Sequence, residues 1–155
     1  PGRPDRKYRV SVENAQKALP CEIKKLKNLL RLTLSTGVNE AEVSLALVED
    51  RKMQELNKQF LGRETTTDVL AFTYEKGDNY LQGEIIVNAQ VAAREAEQTE
   101  HSAQEELLLY VVHGGLHLLG YEDYEPEDRQ QMHRRALELL NEAGIEMDPR
   151  TLLED

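Results

Sequence analysis

Cysteine is nearly absent from this chain of 155 residues: Cys21 stands alone, so no disulfide can form within the chain. A single thiol fits a reducing compartment and an inert, buried role. Long apolar runs are lacking as well. No stretch reaches the ~18–20 residues that a membrane-spanning helix needs, so no membrane association is expected. The basic start, PGRPDRKYRV, is not followed by the apolar segment of a secretory signal. The expectation is a soluble, cytoplasmic protein. Internal repeats, low-complexity tracts and dividing linkers are also missing, and 39% of the residues are hydrophobic. Together these argue for one globular domain over residues 1–155.

A net positive charge is the next thing the chain lacks. Its balance of −10 excludes indiscriminate nucleic-acid binding over the whole surface. The charge is uneven, however. Residues 1–31 hold nine Lys/Arg against three Asp/Glu, whereas residues 32–155 hold ten against 26. Such a molecule can meet a polyanion on one side only, or simply expose a solvated basic face.

What is present reads as alternating strands and helices. Residues 7–14 alternate apolar and polar, with Tyr8, Val10 and Val12 on one face, which predicts a strand. Residues 21–37 carry Ile23, Leu26, Leu30 and Leu34 at helical spacing, with Gly37 as the stop. Lys24, Lys27 and Arg31 share another face of that helix. A strand at 42–49 and a helix at 50–62, with Asp50 as its N-cap and Gly62 at its end, come next. Strands at 66–75 and 81–89 flank the turn GDNY and form a hairpin. Helices follow over 88–98, 102–120 and 125–144. The second has Ser102 and Glu105 at capping-box spacing, and the third has Pro126 in its first turn. The predicted fold is α+β, with five helices packed on a four-stranded mixed sheet. The first three strands should be parallel and the last, on the hairpin, antiparallel.

The stretch HGGLHLLGYED (113–123) carries the chemistry. The helix around it is apolar nearly all round and should be buried. His113 and His117 lie one turn apart and point the same way. A buried imidazole needs a partner, and one metal ion serves two. Gly120 ends the helix, after which Asp123 is the first well-spaced acid to return, ahead of Glu122. Two nitrogens, one oxygen and an open fourth position make a catalytic zinc site, with Asp admitting other divalent metals. Hydrogen-bonded core histidines are the alternative. Gly114 and Gly115 each cost about 1 kcal/mol against Ala in a helix, so close approach of another backbone or of substrate is expected there. His101 and His133 read as ordinary.

The spacing is metzincin-like, but the Glu that takes a proton from water in those proteases is Gly114 here. Peptide hydrolysis is therefore the weaker reading, and a metal can instead activate water toward a phosphoryl group. HGGLHLLGYED resembles the H-G-x-L-H-L-x-G-Y-D-H signature of the YbeY family of endoribonucleases. LNKQFLGRETTTDVLAF (56–72) is similar to that family's L-N-x-x-Y-R-x-K-D-x-P-T-D-V-L-S-F segment, and LQGEIIVN (81–88) to its L-G-D-I-x-I segment.

The resemblance implies a zinc-dependent endoribonuclease specific for single-stranded RNA. It implies action on the 3′ end of small-subunit rRNA and in ribosome quality control. The implied partners are the small ribosomal subunit and its assembly factors, with no DNA substrate. It also implies a cleft with one Zn2+ held by His113, His117 and Asp123. The chain departs from the pattern at two positions: Asp123 stands for the usual third His, and Leu61 for an Arg that meets phosphate. Arg63, two residues on, is the candidate to replace that Arg as the catalytic guanidinium, the alternative being that it matches the basic residue usual at its own position in the family. Thr67 and Asp68 are candidate RNA contacts, and Lys24, Lys27 and Arg31 a candidate track for the RNA backbone. A ribosome-assembly binding factor with a structural metal is the alternative from another functional class.

Overall fold

The computed structural model describes residues 7–147. Residues 1–6, part of the basic segment, and 148–155 lie outside the described residues. The order is β1 (Tyr8–Asn14), α1 (Ile23–Ser35), β2 (Glu40–Val48), α2 (Asp50–Leu61), β3 (Val69–Lys76), β4 (Tyr80–Asn88), α3 (Ala89–Ala96), α4 (Ala103–Leu118) and α5 (Pro126–Glu142). The four strands form one sheet in the order β1-β2-β4-β3. Three strands are parallel and one is antiparallel, as expected, but the antiparallel one is β3 rather than β4. Helix α2 does not carry the chain across the sheet. It returns it to the end it left, and β4 then inserts between β2 and β3.

Side chains explain that order. In β4, Ile85, Ile86 and Val87 are consecutive and all buried, which requires cover on both faces and hence a central place. In β3 the second half, Thr73–Lys76, is exposed, as suits an edge. On one face Val10, Val43, Leu45, Ile85 and Val87 join the main core with α1, α4 and α5. On the other, Val48, Leu70 and Ile86 meet Met53 of α2 in a smaller cluster. The rest of that second face is polar: Arg9 pairs with Glu42 at 3.1 Å and Tyr74 donates to Glu84 at 2.7 Å.

Helix α4 is the spine of the core, with twelve of its sixteen residues buried. Its start is fixed by the capping box. Ser102 Oγ accepts from the Glu105 amide at 3.1 Å, and Glu105 Oε1 accepts from the Ser102 amide at 2.8 Å. Asp50, in contrast, does not cap α2. Glu49 occupies the cap position but its side chain accepts from the Lys17 amide and not from the helix, and Asp50 is the first helical residue, its carboxylate turned to other partners. Among the described residues no helix is long and apolar enough to cross a membrane.

The two glycines of α4 serve packing rather than substrate or a backbone approach. A Cβ on Gly114 would lie 2.5 Å from Ile85 Cγ2 of β4, and one on Gly115 would lie 2.8 Å from Thr33 Cγ2 of α1. The helix thus seats directly on the central strand and on α1. Gly114→Ala should gain about 1 kcal/mol in helix propensity but lose about 1–3 kcal/mol to overpacking. The Ile85 methyl is on a β-branched carbon and cannot rotate away, so a net loss is expected, read as a lower urea midpoint. A raised midpoint would refute this packing argument.

Candidate active site

His113 and His117 occupy successive turns of α4. His113 is enclosed. Its ring meets that of His133 on α5 edge-on, with centroids 5.1 Å apart, and its Nε2 has no hydrogen-bond partner. Burial, with His133 and His117 nearby, pushes its pKa down to about 3. The imidazole is therefore neutral at physiological pH and can offer a lone pair. His117 is half-buried. Its Nδ1 lies 3.0 Å from the Tyr121 carbonyl. A carbonyl only accepts, so Nδ1 carries a proton and Nε2 is the nitrogen turned to the cleft. That Nε2 lies 3.6 Å from Asp123 Oδ2.

Gly120 makes this return possible. Its φ of +106° disfavours any side chain. The Tyr121 amide donates to the Leu116 carbonyl and the Gly120 amide to that of His117, each at 3.0 Å. These are the two bonds of a Schellman close. The chain reverses, brings the Tyr121 carbonyl onto His117, and carries Asp123 to the same ring.

Two cavities meet at Asp123. One, of about 510 Å³, is lined by Leu61, Arg63, Thr66, Thr67 and His117. The other, of about 520 Å³, is lined by Thr67, Asp68, His113, Arg129 and His133. Asp123 lines both. His113, His117, Asp123, Arg63, Thr67 and Asp68 thus all line one or both of these adjoining cavities, and of them His117 lies against Asp123. Lys24, Lys27 and Arg31 line neither cavity; they lie on α1, and Arg31 Nε donates to the Tyr8 carbonyl at 3.1 Å. Thr67 and Asp68 precede β3 rather than open it. Burial pushes the Asp68 carboxyl up, with Asp123 adding repulsion against backbone bonds that oppose it.

Two imidazoles and a carboxylate suit a divalent cation in kind, and the orphaned Nε2 of His113 is an atom such a cation would satisfy. Among the described residues, however, no three His, Cys, Asp or Glu side chains already converge as a metal site.

Residues 10–144 match the family model described as endoribonuclease YbeY. The chain belongs to the YbeY family. Relatives named endoribonuclease YbeY include one from Anaeromyxobacter sp. that is 38% identical over 111 residues, covering 70% of this chain and 58% of its own length. Another, from Desulfitobacterium hafniense, is 36% identical over 122 residues, covering 72% of this chain and 78% of its own. The chain thus spans less than two thirds of some YbeY relatives and most of others. A solution structure from Thermotoga maritima superposes with a TM-score of 0.62 at 28% identity, covering 86% of this chain and 88% of that one.

The candidate site also rests on residues that sequence reasoning missed. Asn88, fully buried at the end of β4, donates from Nδ2 to Asp50 Oδ1 at 2.8 Å and Thr66 Oγ1 at 3.0 Å, with the Thr67 carbonyl at 3.3 Å. Its Oδ1 caps α3 by accepting from the amides of Gln90 and Val91. Arg94 of α3 binds Asp50 through both terminal nitrogens, and this guanidinium holds the Asp50 carboxyl below the usual carboxylate range. Asn57 Nδ2 donates to the Thr65 carbonyl at 2.7 Å. Two buried asparagines thus hold the segment 65–67 that walls both cavities. The signal for Asn88 was an uncharged polar residue at a strand–helix junction, a good N-cap type. His133 falls on the buried stripe of α5 with Met132 and Ala136, and that periodicity was its signal.

Proposed function

We propose that this chain is a metal-dependent endoribonuclease that cleaves single-stranded RNA in the maturation and quality control of small-subunit rRNA. What carries the reading is the family match over residues 10–144, a span that contains every residue lining the two cavities. His113, His117 and Asp123 would hold a zinc ion, with the half-exposed Asp123 side chain completing the set. A divalent ion so bound supplies Lewis acidity, lowering the pKa of water or polarising a phosphoryl oxygen.

The chain's own residues do the rest. The Tyr121 carbonyl fixes which nitrogen of His117 faces the cleft. Arg63, exposed on the wall of the first cavity, meets the phosphate whose charge grows during cleavage. Thr67 and Asp68 contact the RNA where it crosses Asp123. Lys24, Lys27 and Arg31, away from the cleft, draw in the strand or the ribosomal RNA around it. Zinc is the proposed metal, the small ribosomal subunit and its assembly factors the proposed partners, and the cytoplasm the proposed location. Gly114, packed on Ile85, leaves no acid where a zinc protease needs one.

Purified protein is expected to cleave a single-stranded oligoribonucleotide and to spare the DNA oligonucleotide of the same sequence. A chelator should abolish cleavage and added zinc restore it. Chelator-resistant cleavage would sink the metal, and RNA binding without cleavage would favour an assembly factor.

A further inference from the structure

The cavity on the His113 side is acidic. Asp68, Glu95, Glu106 and Asp123 line it, and only Arg94 and Arg129 bring positive side chains other than histidine. Arg94 is already committed to Asp50. Glu106 lies 2.8 Å from Nδ1 of His101. Arg129, half-buried on the first turn of α5, is different. Its Nη1 lies 3.4 Å from the Asp123 carbonyl and 3.3 Å from that of Tyr124. Among the described residues it forms no ion pair with a carboxylate. Those two contacts use Nη1 alone. Nη2 and Nε, the edge of the fork that grips two phosphate oxygens at once, are left for a ligand.

We propose that Arg129 is a second phosphate-binding residue of the cleft, holding a nucleotide phosphate on the His113 side of Asp123 while Arg63 stands on the other. The inference rests on the reading of this site as an RNA cleft. A strand crossing Asp123 would then be held by guanidinia on both sides of the scissile region, which fixes its path through a cavity whose acids would otherwise repel it. By pulling on the backbone carbonyls of residues 123 and 124, the same side chain also holds the loop that carries Asp123.

The test is binding of a short 2′-O-methyl oligoribonucleotide to the zinc-loaded protein over a range of salt concentrations. Loss of one phosphate contact reduces the slope of log Kd against log salt by about 0.7 for a single strand. Arg129→Gln should show that reduction with a several-fold weaker Kd, and Arg129→Lys should keep the wild-type slope. A merely structural Arg129 would weaken binding in the Gln variant without moving the slope, and that result overturns the proposal. Should the Gln variant fail to fold, the wild-type Arg129 Nε–H resonance, assigned by its loss in Arg129→Lys, decides the matter. It must shift when oligonucleotide saturates the protein, and an unmoved resonance overturns the proposal. Failure of the wild type to bind or cleave RNA would instead remove the RNA reading itself.

Discussion

His117→Ala is expected to lose at least about a hundredfold of RNA cleavage, since even the outer partners of metal-ligating histidines are worth ~10–100-fold. The fold should survive. His117 sits in the last turn of α4 with a quarter of its side chain exposed, and its ring makes one hydrogen bond, to the Tyr121 carbonyl, beside the 3.6 Å contact with Asp123. Ala is also the better helix former. His113→Leu should lose cleavage too, but by a different balance. It removes a buried Nε2 that has no hydrogen-bond partner, so the metal-free variant should be about as stable as metal-free wild type. Metal linkage separates ligand from core residue. Zinc at a hundred times its Kd should stabilise the wild type by about 2.7 kcal/mol. Neither variant should show that gain in thermal melts with and without zinc. Full zinc stabilisation of His113→Leu would return His113 to the ordinary core.

The main elements were legible because their signals are local. Ser102 and Glu105 are three residues apart, Gly120 closes the helix that they open, and the apolar residues between leave no polar stripe. Sheet order is not local. The hairpin of β3 and β4 followed from a turn between two strand patterns, but which partner lies in the middle depends on which face each strand can leave uncovered. The run Ile85-Ile86-Val87 held that information, and a rule about crossover helices outweighed it wrongly. Gly114 and Gly115 signalled tight packing, but against side chains and not the backbone or substrate expected, and nothing near them in sequence names Ile85 or Thr33 as the neighbours.

The site divides in the same way. His113 and His117 are one helical turn apart, and Asp123 follows a glycine turn, so spacing alone put them together. Asp50, Asn88 and Arg94 come from α2, β4 and α3, and Asp50 lies 38 and 44 residues from the others. No periodicity links them. Asp50 reads as a helix cap because Asp at a helix start is a preferred N-cap type. Its carboxylate instead answers a buried amide and a guanidinium, and only the folded chain brings those donors within reach.

That network sets the second large effect. Asn88→Ala is expected to cost about 2–3 kcal/mol, summing a lost N-cap at about 1 kcal/mol and the lost bonds from its buried amide to part-buried acceptors at about 1–2 kcal/mol. Asn88→Asp divides the two parts. The carboxylate still accepts from the Gln90 and Val91 amides, so α3 keeps its cap. It can donate nothing to Asp50 Oδ1, Thr66 Oγ1 or the Thr67 carbonyl, and it sets a second negative charge against Asp50. If the donor half holds the cleft wall, Asn88→Asp should be at least as unstable as Asn88→Ala at neutral pH, measured by urea unfolding. It should also recover part of the loss as acid protonates the new carboxyl. Near-wild-type stability of Asn88→Asp would mean that Asn88 serves only as a helix cap, and that the segment 65–67 is held by Asn57 and its own backbone.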